Sequence, residues 1–122
     1  MIDTVIANGI VVSSSEMRVA SVAIEDGKVV MVGDRSFMPK SRETIDAEGR
    51  LVLPGFVDPH IHFGLAGSMP EVDRVKRDFQ PESRGAAHGG VTTCLLMVLD
   101  EGSPARLDEL IECGNRQSFV DF

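Results

Sequence analysis

The sequence predicts an α/β fold, with a small β module over residues 1–50 followed by a βαβαβ run over residues 51–122. Three observations predict it. Short β-branched runs separated by Gly-containing turns fill the first fifty residues. An apolar run beginning at Leu51 ends in the pair His60 and His62. Beyond it, strand-like and helix-like patterns alternate, which favours parallel strands joined by right-handed crossovers.

In the β module, Ile2 to Ala7 and Ile10 to Val12 flank Asn8-Gly9, a tight-turn signal that predicts a first hairpin. Ser13 to Glu16 is a polar interval. Val19 to Glu25 and Lys28 to Val32 flank Asp26-Gly27, which tolerates the positive φ of a type I′ turn and predicts a second hairpin. Residues 34–43 read as loop, Thr44 to Asp46 as a short strand, and Glu48-Gly49 as the turn into the central stretch.

After His62, the glycines, Pro70 and interleaved charges of Phe63 to Arg77 break any period, so this segment reads as a long loop at the mouth of the sheet. Its Glu71, Asp73, Arg74, Lys76 and Arg77 read as a solvated mixed-charge face. Asp78 is placed to cap a helix running to about His88, with Pro81 in its first turn and Gly89-Gly90 as its stop. His88 suits the C-terminal end of that helix as a dipole partner rather than as a ligand. Val91 to Leu99 is a continuous apolar run, as in a strand buried on both faces of a parallel sheet. Ser103-Pro104 starts a second helix with Leu107, Leu110 and Ile111 as its core stripe; Gly114 ends it, and Ser118 to Phe122 begins a third strand.

The net charge of −7 and the lack of a basic cluster argue against nucleic-acid and anionic-membrane partners. No apolar run reaches the roughly 18 residues of a spanning helix, and the start lacks the order of a signal peptide, so a cytoplasmic location is expected. The two cysteines, Cys94 and Cys113, form no metal or redox spacing and read as reduced packing residues. With Trp and Tyr absent, aromatic packing falls to the six Phe. No Gly-rich phosphate loop and no Ser or Cys nucleophile motif occurs.

Chemistry concentrates in Asp58-Pro59-His60-Ile61-His62. Alternate residues of a strand share a face, which places Asp58, His60 and His62 together at a spacing of about 6.6 Å. Pro59 cannot donate to a ladder, so the histidines fall where the strand opens into a loop. Two imidazoles so placed can grip one metal ion. A His-x-His pair alone has little specificity; the Val/Leu/Phe strand, the Pro-Gly punctuation and the Gly-rich exit strengthen it.

The segment Leu53-Pro54-Gly55-Phe56-Val57-Asp58-Pro59-His60-Ile61-His62-Phe63 resembles the first-strand signature of the amidohydrolase superfamily, in its cyclic-amidase branch of hydantoinases, dihydropyrimidinases, allantoinases and dihydroorotases. Asp78-Phe79, Arg84 to Ala87 and Gly89 to Thr93 are similar to the next helix and strand of that branch, and the first fifty residues to its leading β segment. The resemblance implies a truncated (β/α)₈ TIM barrel over residues 51–122 and, over residues 1–50, part of a composite β-sandwich; a whole barrel needs about 250 residues. It implies hydrolysis of a small cyclic amide through a metal-bound hydroxide, with His60 and His62 as ligands and the remaining ligands and a catalytic aspartate outside this chain. Zn²⁺ is the expected ion, one or two per site, with Mn²⁺, Fe²⁺, Co²⁺ and Ni²⁺ as alternatives. Asp58 would orient a histidine or cap the strand end. The parent protein is expected to be a homo-oligomer, often a tetramer in this branch, and the fragment alone inactive. Dihydroorotases typically carry an arginine two residues after the second histidine, where this chain has Gly64, and Gly64-Leu65-Ala66 matches allantoinases poorly. The expectation is therefore a hydantoinase- or dihydropyrimidinase-like enzyme, with allantoinase, dihydroorotase and a non-catalytic oligomeric scaffold as alternatives.

Overall fold

The computed structural model describes residues 1–64, 71–97 and 104–122, which form two compact units, Met1–Pro54 and Gly55–Phe122. The first is a mixed β-sheet of β1 (Ile2–Val12), β2 (Met17–Glu25), β3 (Lys28–Gly33), β4 (Ser41–Asp46) and β5 (Leu51–Val52). β1 is central, antiparallel to β2 on one side and parallel to β4 and then β5 on the other.

Asn8-Gly9 does not turn the chain back into a hairpin. Asn8 does adopt a positive φ of 57°, but it sits at a bulge inside one continuous strand. At this point β1 exchanges one parallel neighbour for the next. The Ala7 and Asn8 carbonyls accept hydrogen bonds from the Ala47 and Gly49 amides, both at 2.8 Å, and the Ile10 amide donates to Arg50 O at 2.9 Å. A Cβ on Gly9 would lie 2.5 Å from Val52 Cγ2, so only glycine lets β5 approach. Neighbours on both sides outweigh the local turn preference.

The Asp26-Gly27 hairpin forms as expected, with φ of 49° and 70° and Glu25 opposite Lys28. Residues 35–37 form a 3-10 turn. Asp34 caps it, accepting from the Ser36 amide at 2.8 Å and hydroxyl at 2.6 Å, and these bonds hold its carboxyl below the usual range. β4 starts at Ser41 rather than Thr44, because Ile2 and Thr4 of β1 extend the ladder to Ser41 and Glu43. Leu51-Val52 pairs with β1, so the apolar stretch before the histidines is divided between the two units. Val5, Ala7 and Ala23 form the buried core, flanked by Ile2 and Met38.

In the second unit β6 (Phe56–Ile61) and β7 (Val91–Leu96) are parallel, and α1 (Glu71–His88) lies between them in sequence. α2 (Pro104–Gln117) follows. The third strand is represented by a parallel bridge, with Asp121 O accepting from Cys94 N at 2.8 Å and Asp121 N donating to Thr92 O at 2.9 Å. This is the expected strand, helix, strand, helix, strand order. Phe63, Val75, Phe79, Leu110 and Cys113 form its buried core, with Ile61 and Leu96 against it.

Four details depart from expectation. α1 begins at Glu71, so residues 71–77 are helical, and Pro81 lies inside the helix rather than in its first turn. An interior proline removes one helical hydrogen bond at a cost of about 3 kcal/mol, and fully buried Val75 and Phe79 in the turns before it offset it. α2 runs through Gly114 to Gln117, and that glycine instead makes room for Phe122, whose Cζ would lie 2.3 Å from a Cβ. In β7 only Cys94 is buried, and Leu95 is 47% exposed, because few neighbours cover this sheet. In the α2 stripe Leu110 is buried, whereas Leu107 and Ile111 are exposed. Residues 65–70, 98–99 and Ser103, which carry parts of the expected loop, strand and cap, lie outside the described residues.

The mixed-charge group is also more engaged than a solvated face. Lys76 pairs with Glu109 of α2, Arg77 pairs with Asp78, and Arg74 Nε donates to Gly64 O. Lys76 is held protonated above the usual range chiefly by its hydrogen bond to Glu109, and Asp78 is held below the usual range chiefly by its bond to Arg77.

Candidate metal centre

The ladder between β6 and β7 skips at the proline. Asp58 pairs with Cys94 and Ile61 with Leu96, so Pro59 and His60 together face the single residue Leu95. Pro59 has no N–H to give, and the strand bulges there. Asp58 Oδ1 accepts from the His60 amide at 3.0 Å and so braces the bulge.

His60 closes β6 with Ile61, and His62 follows immediately. Their ring centroids are 5.0 Å apart at an interplanar angle of 68°, closer than the strand spacing alone would set. Their Nε2 atoms are 3.1 Å apart. His62 Nδ1 lies 2.8 Å from Met97 O. A carbonyl can only accept, so Nδ1 carries a proton, and the tautomer that this selects has its Nε2 lone pair facing His60. Met97 is itself fixed by its amide, which donates to Ile61 O at 2.8 Å.

Two nitrogens bound tetrahedrally to one zinc at about 2.05 Å would stand about 3.3 Å apart. The separation of 3.1 Å and the tautomer of His62 fit a shared cation. No group of three or more His, Cys, Asp or Glu side chains suited to a metal occurs among the described residues, so a cation held by the pair would need further ligands.

The surroundings sort the remaining candidates. His88 Nδ1 contacts Arg84 O at 2.8 Å, one helical turn back, and closes α1. Cys94 is buried opposite Asp58; burial pushes its thiol above the ordinary value, and the nearby carboxylate adds to this, so it stays protonated at neutral pH. Met97 is the functional group that sequence reasoning missed. It acts through a backbone carbonyl, which no side-chain motif records, although a carbonyl partner for a ligating histidine is a general expectation.

Known proteins resemble most of this chain. Residues 43–78 match the model of the Amidohydrolase family. The chain is 38% identical over 105 residues to a dihydroorotase of Methanothermobacter thermautotrophicus, covering 84% of this chain and 23% of that protein. It is 34% identical over 106 residues to an allantoinase of Escherichia coli, covering 87% of this chain and 22% of that one. Among solved structures, the L-hydantoinase (dihydropyrimidinase) of Arthrobacter aurescens superposes with a TM-score of 0.84 at 30% identity, covering all of this chain and 27% of its own. The N-acyl-D-glutamate deacylase of Bordetella bronchiseptica, solved with zinc, matches at a TM-score of 0.51 and 26% identity over 76% of this chain and 18% of its own. The chain thus spans about a quarter of the length of the curated relatives it matches. Over the part of those proteins that it covers, the chain is thus similar in sequence and in fold to cyclic amidases of the amidohydrolase superfamily.

Proposed function

We propose that this chain carries part of the metal centre of a hydantoinase- or dihydropyrimidinase-like enzyme that hydrolyses the ring C–N bond of a small cyclic amide. The observation that carries the reading is the convergence of His60 Nε2 and His62 Nε2 at 3.1 Å, with His62 held in the required tautomer by Met97 O. The family is divalent-metal dependent, and zinc is the ion assigned here, since paired neutral imidazoles suit it. Held there, a divalent ion would supply Lewis acidity to activate water and to polarise the scissile carbonyl. His60 and His62 would hold the ion, Met97 O orients His62, and Asp58 fixes the backbone as it enters His60. Residues 51–122 are read as the opening of a (β/α)₈ barrel and residues 1–50 as part of a β-sandwich. The parent is read as a cytoplasmic homo-oligomer. Among the described residues no helix is long and apolar enough to cross a membrane.

A second reading, dihydroorotase, is favoured by the 38% identity to such an enzyme. Against it, a Cβ on Gly64 would lie 2.6 Å from the Arg74 carbonyl carbon and Val75 N, which leaves no room for the arginine expected there. The test is a turnover panel on the metal-loaded full-length protein. Ring opening of hydantoin or dihydrouracil supports the first reading, activity confined to dihydroorotate supports the second, and no turnover of hydantoin, dihydrouracil, allantoin or dihydroorotate supports a non-catalytic scaffold.

A further inference from the structure

The two residues after His62 are pressed onto α1 by three separate devices. The Phe63 side chain is 2% exposed and stands edge-on to Phe79, with ring centroids 5.2 Å apart at 80°. Gly64 has a φ of 67°, and its Cα approaches the α1 backbone so closely that a Cβ would lie 2.6 Å from the Arg74 carbonyl carbon and Val75 N. Both peptide groups of Gly64 are then held by side chains of that helix: its amide donates to Glu82 Oε1 at 3.4 Å, and its carbonyl accepts from Arg74 Nε at 2.5 Å. Aromatic anchoring and close packing need no polar partner. The two hydrogen bonds do something further, since they fix the peptide planes on both sides of the Gly64 Cα.

That orientation bears on His62. Its ring is set on one side by Met97 O at 2.8 Å, and its main chain continues directly into the clamped segment. The backbone of His62 is therefore determined at one end by the β6–β7 ladder and at the other by α1. A rotation of the Phe63–Gly64 peptide would tilt the His62 Cα–Cβ bond and separate Nε2 from that of His60. The geometry points to Arg74 and Glu82 as positioning residues for the histidine pair, acting through the Gly64 peptide without touching the metal. This inference rests on the metal reading proposed above and adds to it two side chains that lie well beyond the histidine motif in sequence.

The test is Co²⁺ affinity and the visible Co²⁺ spectrum of the full-length protein, with unfolding of the metal-free form measured alongside. Groups that orient metal ligands typically change affinity by about 10–100-fold when removed. Arg74→Ala and Glu82→Ala should weaken Co²⁺ binding by about that factor and alter the spectrum. Glu82→Gln keeps an acceptor oxygen and Arg74→Lys keeps a donor, so each should stay within about threefold of the parent. If Glu82→Gln weakens binding as much as Glu82→Ala, net charge rather than the hydrogen bond is responsible, and the inference is overturned. Unchanged affinity and spectrum in both Ala variants overturns it as well. A parent protein that binds no Co²⁺, or binds it equally after His60→Ala, overturns the metal reading itself, and this inference with it.

Discussion

Replacement of Phe79 by Ala should loosen the second unit more than any other single change in its core. Phe79 is fully buried, stands edge-on to Phe63 at 5.2 Å and to Phe122 at 5.1 Å, and lies in the cluster with Val75, Leu110 and Cys113. A buried phenylalanine covers at least about 150 Å² of apolar surface, which at about 25 cal/mol per Å² gives roughly 4 kcal/mol, within the range of about 3–5 kcal/mol seen for Phe→Ala. A typical domain has only about 5–15 kcal/mol in total. Phe79→Leu keeps most of the volume and loses the two ring contacts, so it should cost about 1–2 kcal/mol. Glu112→Ala serves as the control: its ion pair with Arg116 is 3.9 Å long between side chains that are both 71% exposed, and its removal should shift stability by less than about 0.5 kcal/mol. Native-state hydrogen exchange of the α1 amides in the full-length protein reads the opening free energy directly. A Phe79→Ala effect below about 1 kcal/mol, or one equal to that of Phe79→Leu, would refute the reasoning.

Three further outcomes are expected. A Cβ on Gly55 would lie 2.1 Å from Thr92 Oγ1 and 2.7 Å from Thr92 Cβ, so Gly55→Ala should cost about 1–3 kcal/mol and Gly55→Ala/Thr92→Gly should show a favourable coupling above about 1 kcal/mol; additive effects would contradict the contact. The folded-state pKa of Cys94 lies above its ordinary value of 9.0, so the stability it contributes is fully present below that pH and lost as pH rises through the folded value. Cys94→Ala should flatten the alkaline limb of a stability–pH profile, and an unchanged limb would contradict this. The 122-residue chain expressed alone should self-associate, since Phe56, Val57, Leu95 and Leu107 are each 47–59% exposed. A monodisperse monomer with one sharp thermal transition would refute it.

The parts of this fold that were legible in sequence are those decided by neighbours in the chain. Asp26-Gly27 forms its hairpin because its two positive φ values need only those two residues, and the strand, helix, strand order follows from composition and period. Asn8-Gly9 shows where that legibility ends. Asn8 has the conformation its type suggests, yet whether the strand reverses there depends on β4 and β5, some forty residues away. Pro81 and Gly114 fail as helix boundaries for the same reason: Phe79 and Phe122 decide what these positions do. At the site, the alternation of a strand brings His60 and His62 to one face. The bulge at Pro59, the 5.0 Å approach of the two rings, the Met97 carbonyl and the bonds between Gly64 and the side chains of Arg74 and Glu82 are products of packing, and they have no motif.

The most direct measurement is metal content and turnover on the same preparations of the full-length protein and its His60→Ala, His62→Ala and His88→Ala variants, with hydantoin and dihydrouracil as substrates. Losing either member of the pair removes half of a contact set whose Nε2 atoms stand 3.1 Å apart, whereas His88 is engaged with Arg84 O. His60→Ala and His62→Ala should each lose most bound metal and reduce turnover by several orders of magnitude, because the activated water and the carbonyl polarisation go together. His88→Ala should retain both. A His60→Ala protein with stoichiometric metal and normal turnover would contradict the account.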